Sequence, residues 1–184
     1  METKRNSAIL PLAMAAVMTA LTCVLAPMSI PIGPVPFSLT NFVIYLSLYV
    51  LGWKWGTVSN VAYLLLGMVG MPVFSGFSGG LGRLAGPTGG YLVGFIPMAI
   101  IAGLIITHTK SFPLHYLAMA VGTAVCYAFG TVWYCIQAQS AVGPALALCV
   151  WPFIPVDLIK MAVAMVLGPV LRSRLEAAGL AIAK

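Results

Sequence analysis

The stretch SAILPLAMAAVMTALTCVLA, residues 7–26, is twenty residues without a charge, and Lys4 and Arg5 precede it. At about 1.5 Å per residue such a helix spans about 30 Å, the thickness of a bilayer's hydrocarbon core. A basic start before an apolar run also describes a secretory signal, but this run is long and others follow, so it reads as a retained first membrane helix. Working outward, similar runs occur at about 37–52, 55–70, 88–107, 115–137 and 154–171. Together they predict one all-α transmembrane domain over residues 1–184, a bundle of six spans. Pro and Gly punctuate the gaps: PMSIPIGPVP at 27–36, the tight GWKWG at 52–56, and VFSGFSGGLGRLAGP at 73–87.

Composition points the same way. Hydrophobic residues make up 61% of the 184 positions and charged ones 7%, against roughly 25% charged in soluble domains. The net charge of +6 comes from nine basic residues scattered singly along the chain, with no basic patch of the kind that grips nucleic acid. The surplus is better explained by the tendency of Lys and Arg to mark cytoplasmic loops.

An alternating path that starts with Lys4 and Arg5 in the cytoplasm sorts the charges sharply. Lys54 falls in the 2–3 turn, Lys110 in the 4–5 turn, and Arg172, Arg174 and Lys184 in the tail. Glu2 and Glu176 join them, and both termini are then cytoplasmic. The opposite connections 27–36 and 138–153 carry no Lys, Arg, Asp or Glu, and 71–87 carries only Arg83. Three charges are therefore out of place: Arg83 in the Gly-rich outer loop, and Asp157 and Lys160 near the outer end of the sixth helix.

An ionisable group within a span costs about 2.5–3.5 kcal/mol on insertion scales, so two in one short helix imply a pairing or a water-filled cavity. At i, i+3 Asp157 and Lys160 share a helix face, and Pro155 before them suits a helix start, whose positive dipole end favours Asp157. A structural ion pair would account for this much. Yet a pair that served only the fold is replaceable by apolar side chains without loss, which favours a site. Arg83, Lys160 and Asp157 sum to +1, the complement of a ligand with one carboxylate.

The same rim supplies Phe37, Phe74, Phe77, Tyr91, Trp151 and Phe153, with Thr40, Asn41, Ser75 and Ser78 as neutral hydrogen-bonding groups. That mixture suits a small amphipathic molecule, although each aromatic alone also fits an interfacial belt. Gly76, Gly79, Gly80, Gly82 and Gly86 are followed by no Gly-Lys-Ser/Thr, so they read as a lid or as backbone lying close to a ligand, not as a phosphate loop. Cys23, Cys126, Cys135 and Cys149 show no metal-ligand spacing and read as small apolar packing. His108 and His115 both fall at the cytoplasmic 4–5 turn, far from the outer charges, which argues against an intramembrane enzyme. In the first helix Ala16 and Ala20 form a small-x-x-x-small pair, thickened by Ala8, Ala13 and Ala15, fit for close helix approach inside the bundle or toward a partner.

The order PIGPVPFSLTNF (31–42), SGGLGRLAGPTGGYLVGFIP (78–97) and PFIPVDLIK (152–160) resembles the BioY family, the biotin-specific substrate-binding (S) components of energy-coupling factor (ECF) transporters. The similarity runs from the first helix to the sixth. It implies a six-helix membrane subunit of a bacterial cytoplasmic membrane, without a cofactor, that captures biotin at the extracytoplasmic side. It also implies a transmembrane T component and two cytoplasmic ATPases as partners, since no ATP-binding motif is visible in this chain. By the same resemblance Asp157 and Lys160 contact the biotin head, Arg83 and Tyr91 lie in the matching Gly-rich segment, and Ala16 and Ala20 dock on the T component. Thr40, Phe74 and Ser78 complete the expected ligand-binding set, with no catalytic or metal-ligating residue. One departure is visible: Thr40-Asn41 stands where the family pattern has Gln-Thr. An S component for another vitamin shares this general architecture and remains the alternative.

Overall fold

The computed structural model describes residues 2–31, 33 and 35–180, with side chains from Ile9 onward; Glu2, Lys4, Arg5 and Ala8, as side chains, and Lys184 lie outside the described residues. Its elements are α1 (Glu2–Leu25), α2 (Thr40–Met68), α3 (Leu81–Ala85), α4 (Gly89–His108), α5 (Phe112–Ala138), α6 (Val142–Cys149) and α7 (Phe153–Ala177). Extended pairing among the described residues is limited to two isolated bridges, Ile30 with Phe37 and Phe74 with Ser78.

Two of the expected spans, 37–52 and 55–70, fall largely on α2, which breaks at Gly52 (φ 73, ψ 178). That conformation is open to glycine because it has no Cβ. The chain reverses there. A Cβ on Gly56 would lie 2.8 Å from the Leu48 side chain, whereas residues eight apart in one straight helix are separated by about 12 Å. The amide of Trp53, which loses its helical acceptor at the break, donates to Thr107 Oγ1 at 3.1 Å. The GWKWG turn is thus a one-residue hinge between two antiparallel helical halves.

Two further features concern connections. The stretch 138–153, read only as an uncharged connection, holds the short apolar α6, with Ala145 and Cys149 buried. The Gly-rich segment, read as a lid or as backbone lying close to a ligand, holds the single-turn α3, which carries Arg83.

Contacts at the two ends of the bundle show how the segments alternate. At one end Trp53 meets Thr107, the Tyr49 hydroxyl pairs with His115 Nδ1 at 3.3 Å, and Arg172 Nη1 donates to the Tyr49 carbonyl at 3.4 Å. At the other, the Gly76 amide donates to the Pro27 carbonyl at 3.1 Å and Trp133 Nε1 to the Gly86 carbonyl at 2.9 Å. Lys54, Arg172 and both histidines therefore belong to the first end, and Arg83, Asp157 and Lys160 to the second, as the charge pattern predicts.

Close helix contact rests on small residues. A Cβ on Gly130 of α5 would sit 2.2 Å from the Tyr91 ring, and one on Gly94 of α4 would sit 3.2 Å from Cys126. Polarity is inverted relative to a soluble domain. Leu117, Phe129, Val132 and Ile136 of α5 and Val166 of α7 stand exposed, while Ser47, Thr123, Thr131 and Asp157 are buried. Lipid wets such an apolar exterior without cost, and these polar groups turn inward to partners. By length and hydropathy, Gly89–His108, Phe112–Ala138 and Phe153–Ala177 are each able to cross a bilayer.

Candidate functional site

Three elements meet at the second end: the connection leading into α2, the middle of α5, and the first turns of α7. Helical spacing puts Asp157 and Lys160 on one face of α7, and their ion pair closes at 3.0 Å. Lys160 Nζ also donates to the Ser38 carbonyl at 2.7 Å and to Asn41 Oδ1 at 3.2 Å. An ammonium has three protons, so all three have acceptors inside the protein. The other oxygen of Asp157, Oδ2, accepts a 2.6 Å hydrogen bond from the Tyr127 hydroxyl of α5. Both charged side chains are almost wholly covered, at 7% exposure for Asp157 and 11% for Lys160. Burial of this depth is tolerable because each charge is paired and further hydrogen-bonded.

This cluster forms the floor of a chamber of about 460 Å³, mouth included, whose walls contain Asn41, Tyr91, Phe95, Met98, Tyr127 and Phe153. The Phe153 ring is stacked on Phe37 at 4.1 Å between centroids. A second chamber of about 380 Å³ shares Val35, Pro36, Ser38, Tyr91 and Phe95 with the first and adds Thr40, Phe74, Ser75, Thr88 and Arg83. The two are thus parts of one cleft. Its ends differ in charge: the ion pair at one, and at the other a guanidinium with no ion-pair or hydrogen-bond partner among the described residues. Apolar walls with a few placed polar groups are the attributes of a small-molecule site.

The structure therefore brings Asp157, Lys160, Arg83, Tyr91, Thr40 and Phe74 to a common cleft. Ser78 lines neither chamber; its hydroxyl donates to the Ser75 carbonyl at 2.9 Å, and Ser75 faces the cleft instead. Phe77 and Trp151 are 69% and 66% exposed and stand apart from it. Thr40 is buried and shares a 2.9 Å hydrogen bond with the Ser38 hydroxyl. Tyr127, Thr123, Phe95 and Met98 were not foreseen from sequence. A tyrosine in mid-span, away from any interfacial belt, was the available signal for Tyr127. On the outside of α1, Ala16 and Ala20 are exposed, whereas Ala15 is buried against the core.

Similarity to known proteins follows the same line. The crystal structure, at 2.1 Å, of the S-component for biotin from an ECF-type ABC transporter superposes with a TM-score of 0.83 at 31% identity, covering 91% of this chain and 93% of that one. The fold is accordingly that of an ECF S component, a substrate-binding membrane subunit and not an enzyme. The chain matches the BioY family across residues 1–177 and belongs to it. The biotin transporter BioY of Thermotoga maritima is 42% identical over 157 residues, 84% of this chain and 90% of its own. The probable biotin transporter BioY of Pyrococcus horikoshii is 40% identical over 153 residues, 83% and 90% of the two chains.

Proposed function

We propose that this chain is the biotin-binding S component of an ECF-type importer, a multi-pass protein of a bacterial cytoplasmic membrane that takes biotin from the extracytoplasmic side. The observation that carries the reading is the bipartite cleft, with a buried Asp–Lys pair at one end and, at the other, an arginine whose side chain has no partner among the described residues. Biotin is built on the same plan: a ureido ring with two N–H donors and one carbonyl at one end, and a valerate carboxylate at the other.

Asp157 retains acceptor capacity after its two internal hydrogen bonds, since a carboxylate has about four lone-pair sites. It answers one ring N–H group. Lys160 answers the ring carbonyl by exchanging its longest contact, the 3.2 Å bond to Asn41 Oδ1, which keeps a partner in the Phe42 amide at 3.0 Å. Arg83 takes the carboxylate, a charge-assisted bond of about 1.5–3 kcal/mol. The apolar walls, Tyr91, Phe95 and Met98 among them, hold the bicyclic body.

Coupling is assigned to other subunits. The exposed Ala16–Ala20 stripe of α1 is the proposed docking surface for a T component, where small side chains allow close helix approach, and two cytoplasmic ATPases supply the energy. Six spans with both termini cytoplasmic place Lys54, Lys110, Arg172 and Arg174 on the inner side. The decisive experiment is biotin binding by the detergent-solubilised chain, with one ligand expected per chain. Retained parental affinity in Asp157→Asn and Lys160→Ala would remove the site assignment, and a different vitamin outcompeting biotin would remove the ligand.

A further inference from the structure

Tyr127 performs a task that neither charge explains. Its hydroxyl is the donor to Asp157 Oδ2 among the described residues, at 2.6 Å, and its side chain lines the chamber beside the aspartate. Oδ1 belongs to Lys160, so the two partners hold the carboxylate from opposite sides. A carboxylate gripped at both oxygens has one rotamer and one direction left for its remaining lone pairs, and while ionised it accepts hydrogen bonds and donates none.

A second tyrosine of α5 shows what a plain tie between these helices looks like. Tyr116 reaches α7 too, donating to the Leu158 carbonyl at 3.3 Å, but it meets backbone and lines neither chamber. Tyr127 meets the charged group that faces the ligand. The bond is short and charge-assisted, the kind that fixes geometry as well as adding energy.

We propose that Tyr127 is a positioning and specificity residue: it aims Asp157 so that the site accepts ring compounds presenting N–H toward the carboxylate, and rejects those presenting an alkylated nitrogen or a lone pair there. This inference rests on the biotin reading above. The ligand class it defines is the unsubstituted cyclic urea, because both the carboxylate and the tyrosine oxygen are then acceptors facing donors.

The test compares purified parent, Tyr127→Phe and Tyr116→Phe for affinity and number of sites, so that misfolding lowers the count of sites and not the affinity of those that remain. Biotin and its two mono-N-methyl ureido analogues are the ligands, measured by competition. Tyr127→Phe is expected to weaken biotin about tenfold, the scale of one hydrogen bond to a charged group. The penalty should fall below about twofold for the analogue whose methylated nitrogen faces Asp157, as coupling through one contact requires. Tyr116→Phe should leave all three affinities unchanged. Parental biotin affinity in Tyr127→Phe, or the same loss with all three ligands, overturns the proposal. Absence of biotin binding in the parent instead overturns the functional reading on which it stands.

Discussion

Helix α7 carries two ion pairs of opposite character. Near its start Asp157 and Lys160, three residues apart, pair at 3.0 Å with 7% and 11% of their side chains exposed. Near its end Arg172 and Glu176, four apart, pair at 2.7 Å with 25% and 47% exposed. The shorter bond is the weaker asset, because solvent screens an exposed pair, and such pairs contribute about 0–1 kcal/mol. The buried pair is costly to make and still costlier to break, since removal of one partner strands a charge at about 3–5 kcal/mol. Distance alone therefore misranks them. What separates them is the surroundings: Tyr127, Ser38 and Asn41 around the first, and at the second a single long bond to the Tyr49 carbonyl beside solvent-facing side chains.

The contrast is open to direct attack, and the largest effect is expected from Lys160→Ala. It leaves Asp157 buried without its cation and should lower stability by about 3–5 kcal/mol and abolish biotin binding, read by thermal unfolding in detergent and by ligand titration. Replacing both partners, Asp157→Leu with Lys160→Met, sharpens the point. Stability should recover part of that loss, because no charge is left buried alone, although Tyr127, Ser38 and Asn41 lose their partners, while binding stays lost. A double variant as unstable as the single one would mean that the pair holds the fold together.

Arg83→Gln comes next. It should weaken biotin by about 10–100-fold, equivalent to about 1.5–3 kcal/mol, without lowering the unfolding temperature, since no partner among the described residues is lost. With biotin amide, which lacks the carboxylate, parent and variant should bind alike. An equal penalty for acid and amide would place the carboxylate elsewhere. The smallest effect is expected at the exposed pair: Glu176→Gln should shift stability by no more than about 0.5 kcal/mol and leave affinity unchanged.

Much of this organisation was legible in the chain. The run at 7–26, the segregation of Lys and Arg, and the three misplaced charges are local or additive properties, and the structure places Arg83, Asp157 and Lys160 at a common end. The i, i+3 spacing of the pair gave its geometry outright. Other features escaped. Ser78 was grouped with the site by its neighbourhood in sequence, but its hydroxyl turns to the Ser75 carbonyl. Tyr127 went unnoticed, thirty residues from Asp157, because nothing in either segment records which way the other faces.

The sequence by itself determined the apolar, all-helical character of the chain and which charges stand out from its pattern, because hydropathy and helix period depend only on a residue and its near neighbours. Only the tertiary structure decided which groups share the cleft, that every proton of Lys160 is already engaged, and that Arg83 faces the opposite end with no partner of its own among the described residues. Those outcomes depend on how far helices approach and how they are rotated, and contacts such as Gly130 against Tyr91 and Gly94 against Cys126 set that approach. Such contacts join residues far apart in the chain, so no local reading contains them.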